Sequence, residues 1–465
     1  MKKAKIIELK SKLNSLELFE ILKENGKYPF FLDSGMDEKK LGRYSFMGVN
    51  PFLMIKSTDN EINLEEDGKI EKIIGSPLEI LQERLDLYKV EQEKIPFIGG
   101  GVGYFSYELA HQFEELPNTV KKDVDIPEMV MGFYDGIIII DHKEDRKYIS
   151  AIGFKEEKEV IIEKIKLKIE KEKYAKVIHE TPKEQEQLVI KERKFTSNMS
   201  QEYYLESIQK LKDYIYSGDI YQVNFTQRFS CEFLEGSMKL YKNLREINPA
   251  PFATYFDFGE GEIISSSPER FVKLTDGIIE TRPMKGTRPR GKTLEEDERL
   301  KQELVNSEKD RAELLMIVDL MRNDISRVAE TGSVEVTELF HLEEYATVLQ
   351  MVATVKGKLK KGLAATDIIK ETFPGGSITG APKIRAMEII DELEVTTRNV
   401  YTGSIGYIGF DGDMDLNIAI RTIVLKDQSA YFQVGGGIVW DSDPYEEYEE
   451  SLVKGRALKR ALNMT

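Results

Sequence analysis

The feature that most constrains this chain is the brevity of its apolar runs. Stretches such as residues 28–32, 52–56 and 132–141 alternate apolar with polar positions and stop at Gly or Asp turns. A period of two over a few residues is the pattern of a strand with one face buried, and short strands joined by tight turns pair antiparallel. A helical pattern over 16–23 interrupts them, so residues 1 to about 150 read as a mostly antiparallel α+β region. Hydrophobic residues make up 41% of the 465, enough to bury a large core.

Composition shifts over 155–194, where Lys and Glu dominate around Ile161, Ile165 and Ile169 at helical spacing, followed by Pro182 and a Gln/Glu run. This reads as a solvated helix and a linker, dividing the chain into regions 1–185 and 195–465. In the second region a helix over 200–217 closes at Gly218, strands are expected at 220–232 and 253–257, and a long helix at 298–325. Residues 405–410 and 417–425 flank an Asp411-Gly412-Asp413 turn as a hairpin, and Asp443-Pro444 opens a last helix to about 462.

The charge balance of 66 Lys and Arg against 82 Asp and Glu leaves −16, which argues against nucleic acid as the main partner. No stretch approaches the ~18 uncharged apolar residues of a membrane helix, and the basic start, Met1-Lys2-Lys3, acquires further charges within a few residues. The single cysteine, Cys231, excludes an internal disulfide framework. A cytoplasmic location is the expectation. The four histidines, His111, His142, His179 and His341, form no helical metal-ligand pair and lie beside no nucleophile elbow. Gly99-Gly100-Gly101-Val102-Gly103-Tyr104 breaks the dinucleotide pattern at Tyr104. The Asp411, Asp413, Asp415 spacing lacks the Gly and Glu of a calcium loop.

Four features carry chemistry. Gly435-Gly436-Gly437 lets backbone N–H groups approach an anion, although such a run by itself is more often a bulge or turn. Asp310 and Glu313 open one helix, while Glu447, Glu450 and Lys454 share a face of the last one. Carboxylates without His or Cys suit Mg²⁺, yet an acidic helix face is in most proteins simply solvated. Lys285, in the basic, turn-rich segment 281–291, becomes a nucleophile if its pKa is lowered. Glu269, in Ser267-Pro268-Glu269-Arg270, serves as a general acid if buried, or else pairs with Arg270.

Together these motifs resemble those of the chorismate-utilising enzymes. The matching segments are Asp219-Ile220-Tyr221-Gln222-Val223-Asn224, the Ser267 to Arg270 block, 282–291, 319–324, 373–383, 401–407, the three glycines and 447–454, all in the family's order. The first half matches more weakly, through segments 31–34, 42–46 and 97–107. The resemblance implies a two-lobed α/β sandwich of mostly antiparallel sheets packed together with helices outside, the two halves of the chain interleaved around one cleft. Gln222, where water-using relatives carry Lys, points to an ammonia user. Lys285, where anthranilate synthases carry Ala, points to the aminodeoxychorismate synthase component I branch.

What that branch implies is specific. Lys285 attacks C2 of chorismate, Glu269 protonates the departing C4 hydroxyl, and ammonia enters at C4 to give 4-amino-4-deoxychorismate for folate synthesis. Glu313 and Glu450, with Glu447 nearby, hold Mg²⁺ on the substrate carboxylate. Gln222, Gly286, Thr287, Ser377, Tyr401, Arg421, Gly435, Gly436, Gly437 and Lys454 line the substrate pocket. Ser34, Arg43, Tyr44, Pro251 and Phe252 match positions that bind tryptophan in some relatives; core packing is the plain alternative. Gln350 stands where many relatives, including pyruvate-eliminating anthranilate synthases, carry His. With no glutaminase segment in the chain, ammonia is expected from solution or from a glutamine amidotransferase subunit. The runner-up activity is that of anthranilate synthase component I, and a non-catalytic binding subunit is a third.

Overall fold

The computed structural model describes residues 1–34, 42–178, 192–344 and 348–464. His179, Pro182 and most of the expected linker lie outside them. The architecture is two large antiparallel sheets with helices against their outer faces. In the first sheet, Lys5–Glu8, Arg146–Ala151, Gly136–Asp141, Tyr44–Gly48 and Phe30–Asp33 run side by side. The sheet then passes to Phe252–Asp257, Glu262–Ser267, Thr422–Lys426, Ser429–Ile438 and Gln222–Glu232. The second sheet runs from Met284–Pro289 through Val348–Lys358, Ile278–Arg282, Arg270–Thr275, Met414–Asn417 and Ser404–Gly409 to Gly100–Phe105 and Met129–Tyr134, and on to Lys69–Ile74. Both sheets therefore cross between the two halves of the chain, at Phe31↔Tyr255 in one and Gly406↔Gly103 in the other.

Alternation along the strands places a shared apolar layer between the sheets. Phe30, Phe46 and Phe256 from the first sheet meet Val102, Tyr104 and Tyr407 from the second in one buried cluster. Phe46 lies 5.6 Å from Tyr407, ring centroid to centroid, in an edge-to-face contact. Each such ring withdraws enough apolar surface from water to contribute about 1.5–3 kcal/mol.

Local signals set the helix ends. Ser200 accepts the backbone N–H of Tyr203 at the start of Gln201–Ser217, and Gly218 ends it at φ 82°. Asp443 accepts from Tyr445 and Glu446 at the start of Pro444–Asn463.

Four expectations need correction. The single helix at 298–325 is two, Leu294–Asn306 and Glu308–Val328, because Ser307 leaves helical geometry and caps the second by accepting from Asp310 N. The strand at 132–141 is two strands in different sheets, Met129–Tyr134 and Gly136–Asp141, with Asp135 at the crossing. The expected hairpin closes between Ser404–Gly409 and Met414–Asn417 only, and does not extend to 425. Thr422–Lys426 leaves for the other sheet after Arg421, whose φ of 51° turns the backbone away. The three glycines form neither bulge nor turn: they lie within the strand Ser429–Ile438, paired with Asn224, Phe225 and Thr226.

Candidate functional site

A cleft opens where the chain changes sheet. Glu269 sits between Glu262–Ser267 of the first sheet and Arg270–Thr275 of the second. Arg421 sits on the return crossing, between Met414–Asn417 and Thr422–Lys426. The crossings are stitched together, with Ile418 N donating to Glu269 O at 2.9 Å and Ser267 Oγ donating to Ile418 O at 2.5 Å. Ser377 Oγ donates to Glu269 Oε1 at 2.7 Å. Burial raises the Glu269 carboxyl to about 7, against the opposing pull of Ser377, Lys285 and Arg421. It is a carboxyl able to hold a proton near neutrality and to release it.

The glycines form the floor. A Cβ built on Gly437 would stand 2.5 Å from Gln222 Nε2, which would have to move, and in contact with Lys285 Nζ at 3.5 Å. A Cβ on Gly436 would stand 3.3 Å from both Glu447 Oε2 and Lys454 Nζ. Gly435 is pressed against the neighbouring strand, and its carbonyl accepts from Lys454 Nζ at 2.9 Å. Gln222 is 1% exposed, and neither its Nε2 nor its Oε1 has a hydrogen-bond partner among the described residues. A buried amide with both ends open is available to a bound partner.

Lys285 comes from the second sheet. Its strand bulges at Gly286, which takes φ 75° with Leu304 and Asp310 packed where a side chain would go. Burial lowers the Lys285 ammonium below its ordinary range, helped by Lys454 and opposed by Glu313, Glu269 and Glu450. A depressed lysine is more readily the neutral amine that attacks an electrophile.

Acidic groups approach from the two helices. Glu450 pairs with Lys454 at 2.8 Å, and burial, which would raise its pKa, is outweighed by Lys454, Lys309 and Lys285. Glu447 accepts from Ser442 Oγ at 2.7 Å; burial and the Glu450 charge raise it. Glu313, on Glu308–Val328, supplies the largest charge acting on Lys285. Among the described residues no three His, Cys, Asp or Glu side chains converge as a metal cluster. The donors present are carboxylate oxygens around Lys285 and the glycine floor. That set fits Mg²⁺, which takes one or two carboxylates and fills the rest of its shell with water and substrate oxygen.

The structure thus brings together Gln222, Lys285, Glu269, Ser377, Arg421, Glu313, Glu447, Glu450, Lys454 and the glycines. It is otherwise with Gly286, which shapes the bulge, and Thr287, which is exposed and faces Gln350 across the strand pair. Tyr401 lines a small cavity of about 20 Å³ with Arg398 and Thr422. Ser34, Arg43, Tyr44, Pro251 and Phe252 line a separate cavity of about 240 Å³.

Sequence reasoning passed over Arg398 and Asn224. Arg398 is 1% exposed and donates to Asn224 O at 2.8 Å, Ile378 O at 3.0 Å and Glu394 at 2.6 Å. It thereby ties the strand of Gln222 to the segment of Ser377. A lone arginine has no spacing pattern, so nothing in the sequence marks it.

The model of the chorismate binding enzyme family matches residues 28–460. The chain belongs to that family. It is 41% identical over 451 residues to anthranilate synthase component 1 of Acetivibrio thermocellus, covering 93% of this chain and 90% of the relative. It is 39% identical over 437 residues to aminodeoxychorismate synthase component 1 of Escherichia coli (strain K12), covering 93% of each. Its fold superposes on the crystal structure of anthranilate synthase component I from Streptococcus pneumoniae TIGR4 with a TM-score of 0.80 and 33% identity, over 97% of this chain and 99% of that one. As a family member the chain is a chorismate-utilising enzyme, and its relatives divide between two activities.

Proposed function

We propose that the chain is the chorismate-aminating component of an aminodeoxychorismate synthase, converting chorismate and ammonia to 4-amino-4-deoxychorismate in folate synthesis. One observation carries this reading: Lys285, its ammonium enclosed and held below its ordinary pKa, stands with the unpartnered Gln222 amide over the glycine floor. In this mechanism the neutral Lys285 amine bonds to C2 of chorismate, both ring double bonds shift toward C4, and the C4 hydroxyl leaves as water with the Glu269 proton. Ammonia then bonds to C4, both double bonds shift back, and the C2–N bond breaks to return the lysine amine, the surplus proton of ammonia passing to Glu269. Arg421, Lys454 and the glycine N–H groups balance the substrate's carboxylates. Gln222 orients the ammonia.

Glu313 and Glu450, with Glu447, would hold Mg²⁺, which supplies charge neutralisation at a substrate carboxylate. The ammonia donor would be a glutamine amidotransferase subunit, in keeping with the component 1 names of the relatives. The cavity at Ser34, Arg43, Tyr44, Pro251 and Phe252 is proposed to take tryptophan. A cytoplasmic location suits such an enzyme; among the described residues no helix is long and apolar enough to cross a membrane.

A second reading, anthranilate synthase component 1, is favoured by the 41% identity to the Acetivibrio thermocellus enzyme. Mass spectrometry after incubation with chorismate, ammonium and Mg²⁺ separates the two. Aminodeoxychorismate without pyruvate, lost in Lys285→Ala, supports the first; anthranilate with pyruvate replaces it by the second.

A further inference from the structure

Arg398 lines another pocket besides the small cavity at Tyr401, and this one is built unlike the cleft. Tyr107, Glu108, Asp391, Glu394 and Thr397 share its wall with the arginine, around a volume of about 20 Å³ that admits one water-sized body. Three polar atoms of that wall, Tyr107 Oη, Glu108 Oε2 and Thr397 Oγ1, have no hydrogen-bond partner among the described residues. Their residues are 7%, 5% and 2% exposed. Buried oxygens are almost always paired, and three in one wall point to a ligand.

Charge decides its sign. The wall carries three carboxylates against one guanidinium and contains no lysine. The guanidinium pairs with Glu394 at 2.6 and 2.9 Å and lies over the Tyr107 ring, 4.7 Å from its centroid, so its face meets the ring rather than the Tyr107 hydroxyl. Asp391 accepts from Thr119 N and Oγ1. Glu108 Oε1 accepts the backbone N–H of Arg398 at 2.7 Å, and the backbone N–H groups of Glu108 and Asn399 also favour its charged form. Glu128, whose charge also acts on Glu108, takes the Lys122 ammonium at 3.2 Å. Burial keeps the His111 imidazole, also in the wall, below its ordinary pKa and so uncharged at neutrality. Glu108 is left as a buried carboxyl with no side-chain cation of its own; burial raises it to about 7, so it carries its full negative charge only above neutrality, and the ion is sought at pH 8. One carboxylate oxygen with two hydroxyl oxygens is too little negative charge for a divalent ion, and no metal cluster converges there among the described residues.

We propose that this pocket binds a monovalent cation of the size of potassium or ammonium, held by Glu108 Oε2, Tyr107 Oη and Thr397 Oγ1. Because Arg398 also holds Asn224 and Ile378 beside the cleft, an ion seated here would stiffen the wall of the reacting site from behind. The inference does not depend on which amination the cleft performs.

Thallium(I), close to potassium in size and a strong anomalous scatterer, is the probe. Crystals soaked in thallium acetate at pH 8 should show an anomalous peak within coordination distance of Glu108 Oε2, lost in Glu108→Gln. In solution the unfolding midpoint of the wild type should stand a few degrees higher in potassium or ammonium chloride than in sodium chloride at equal ionic strength, and that difference should vanish in Glu108→Gln. Thr397→Val, which removes one oxygen and keeps the shape, should weaken thallium occupancy even if Glu108→Gln fails to fold. Displacement of thallium by potassium or by ammonium at the lower concentration tells which ion the pocket prefers. No anomalous peak in the wild type, or equal midpoints in the three salts, overturns the proposal.

Discussion

Two polar regions of this molecule look alike in composition and differ in how their groups are spent. In the cavity at Ser34 and Arg43 the polar groups answer one another. Arg43 forks onto Asp141 at 2.7 and 3.1 Å, and Ser45 bridges Asp33 and His142. In the cleft, Gln222 is buried with both amide ends open, Glu269 holds its proton to about 7, and Lys285 is pushed toward its neutral form. A network satisfied from within contributes to stability. Groups held in unfavourable ionisation states contribute to reaction and cost the fold something. Substitutions should therefore act in opposite directions in the two places.

The largest effect is expected at Lys285. Lys285→Ala should lower turnover at least a thousandfold, on the order of what an activated nucleophile supplies, while leaving the thermal unfolding midpoint unchanged or raised. A midpoint that falls by several degrees would erase the contrast between the regions.

Glu269→Gln comes next, with a loss of roughly 10²–10⁴-fold if it is the general acid. Its pH behaviour sharpens the test. The folded pKa is raised above the unfolded value, so the folded state holds the extra proton. Stability from this group is full below the ordinary carboxyl range and declines as pH rises toward about 7. The wild type should lose stability relative to Glu269→Gln between pH 4.5 and 7, and wild-type activity should fall above pH 7. Parallel stability curves would remove the assignment.

Glu450→Ala should raise the Mg²⁺ concentration needed for half-maximal activity by roughly ten- to a hundredfold, with the fold intact; an unchanged Mg²⁺ titration would exclude it as a ligand. The smallest catalytic effect belongs to Arg43→Ala. Leaving Asp141 without its bidentate partner should destabilise the protein by about 1–2 kcal/mol in chemical denaturation, with turnover within twofold of wild type. A larger loss of turnover than of stability would mean that the two regions are coupled.

The reach of the sequence follows the range of the forces involved. Helix Gln201–Ser217 was legible at both ends because Ser200 and Gly218 act within a few residues. Last-helix positions Glu447, Glu450 and Lys454 were legible as one face because helical spacing alone puts them there. Family motifs carried Lys285, Glu269 and Gln222 to one site. What tertiary structure decided was where the chain leaves a sheet. At Asp135, Glu269 and Arg421 the chain runs straight on in sequence while its pairing partner changes, and strand pairing between distant segments leaves no local mark. The glycine run became strand because Asn224, Phe225 and Thr226, more than 200 residues earlier, supply its hydrogen bonds. Arg398 became a tie between two site segments only once folding buried it, since the oxygens it joins belong to residues far apart in the chain. Periodicity and caps, which act between neighbours, were written in the sequence; sheet crossings, open polar groups and shifted ionisation needed the packed molecule, because burial and contact between remote residues create them.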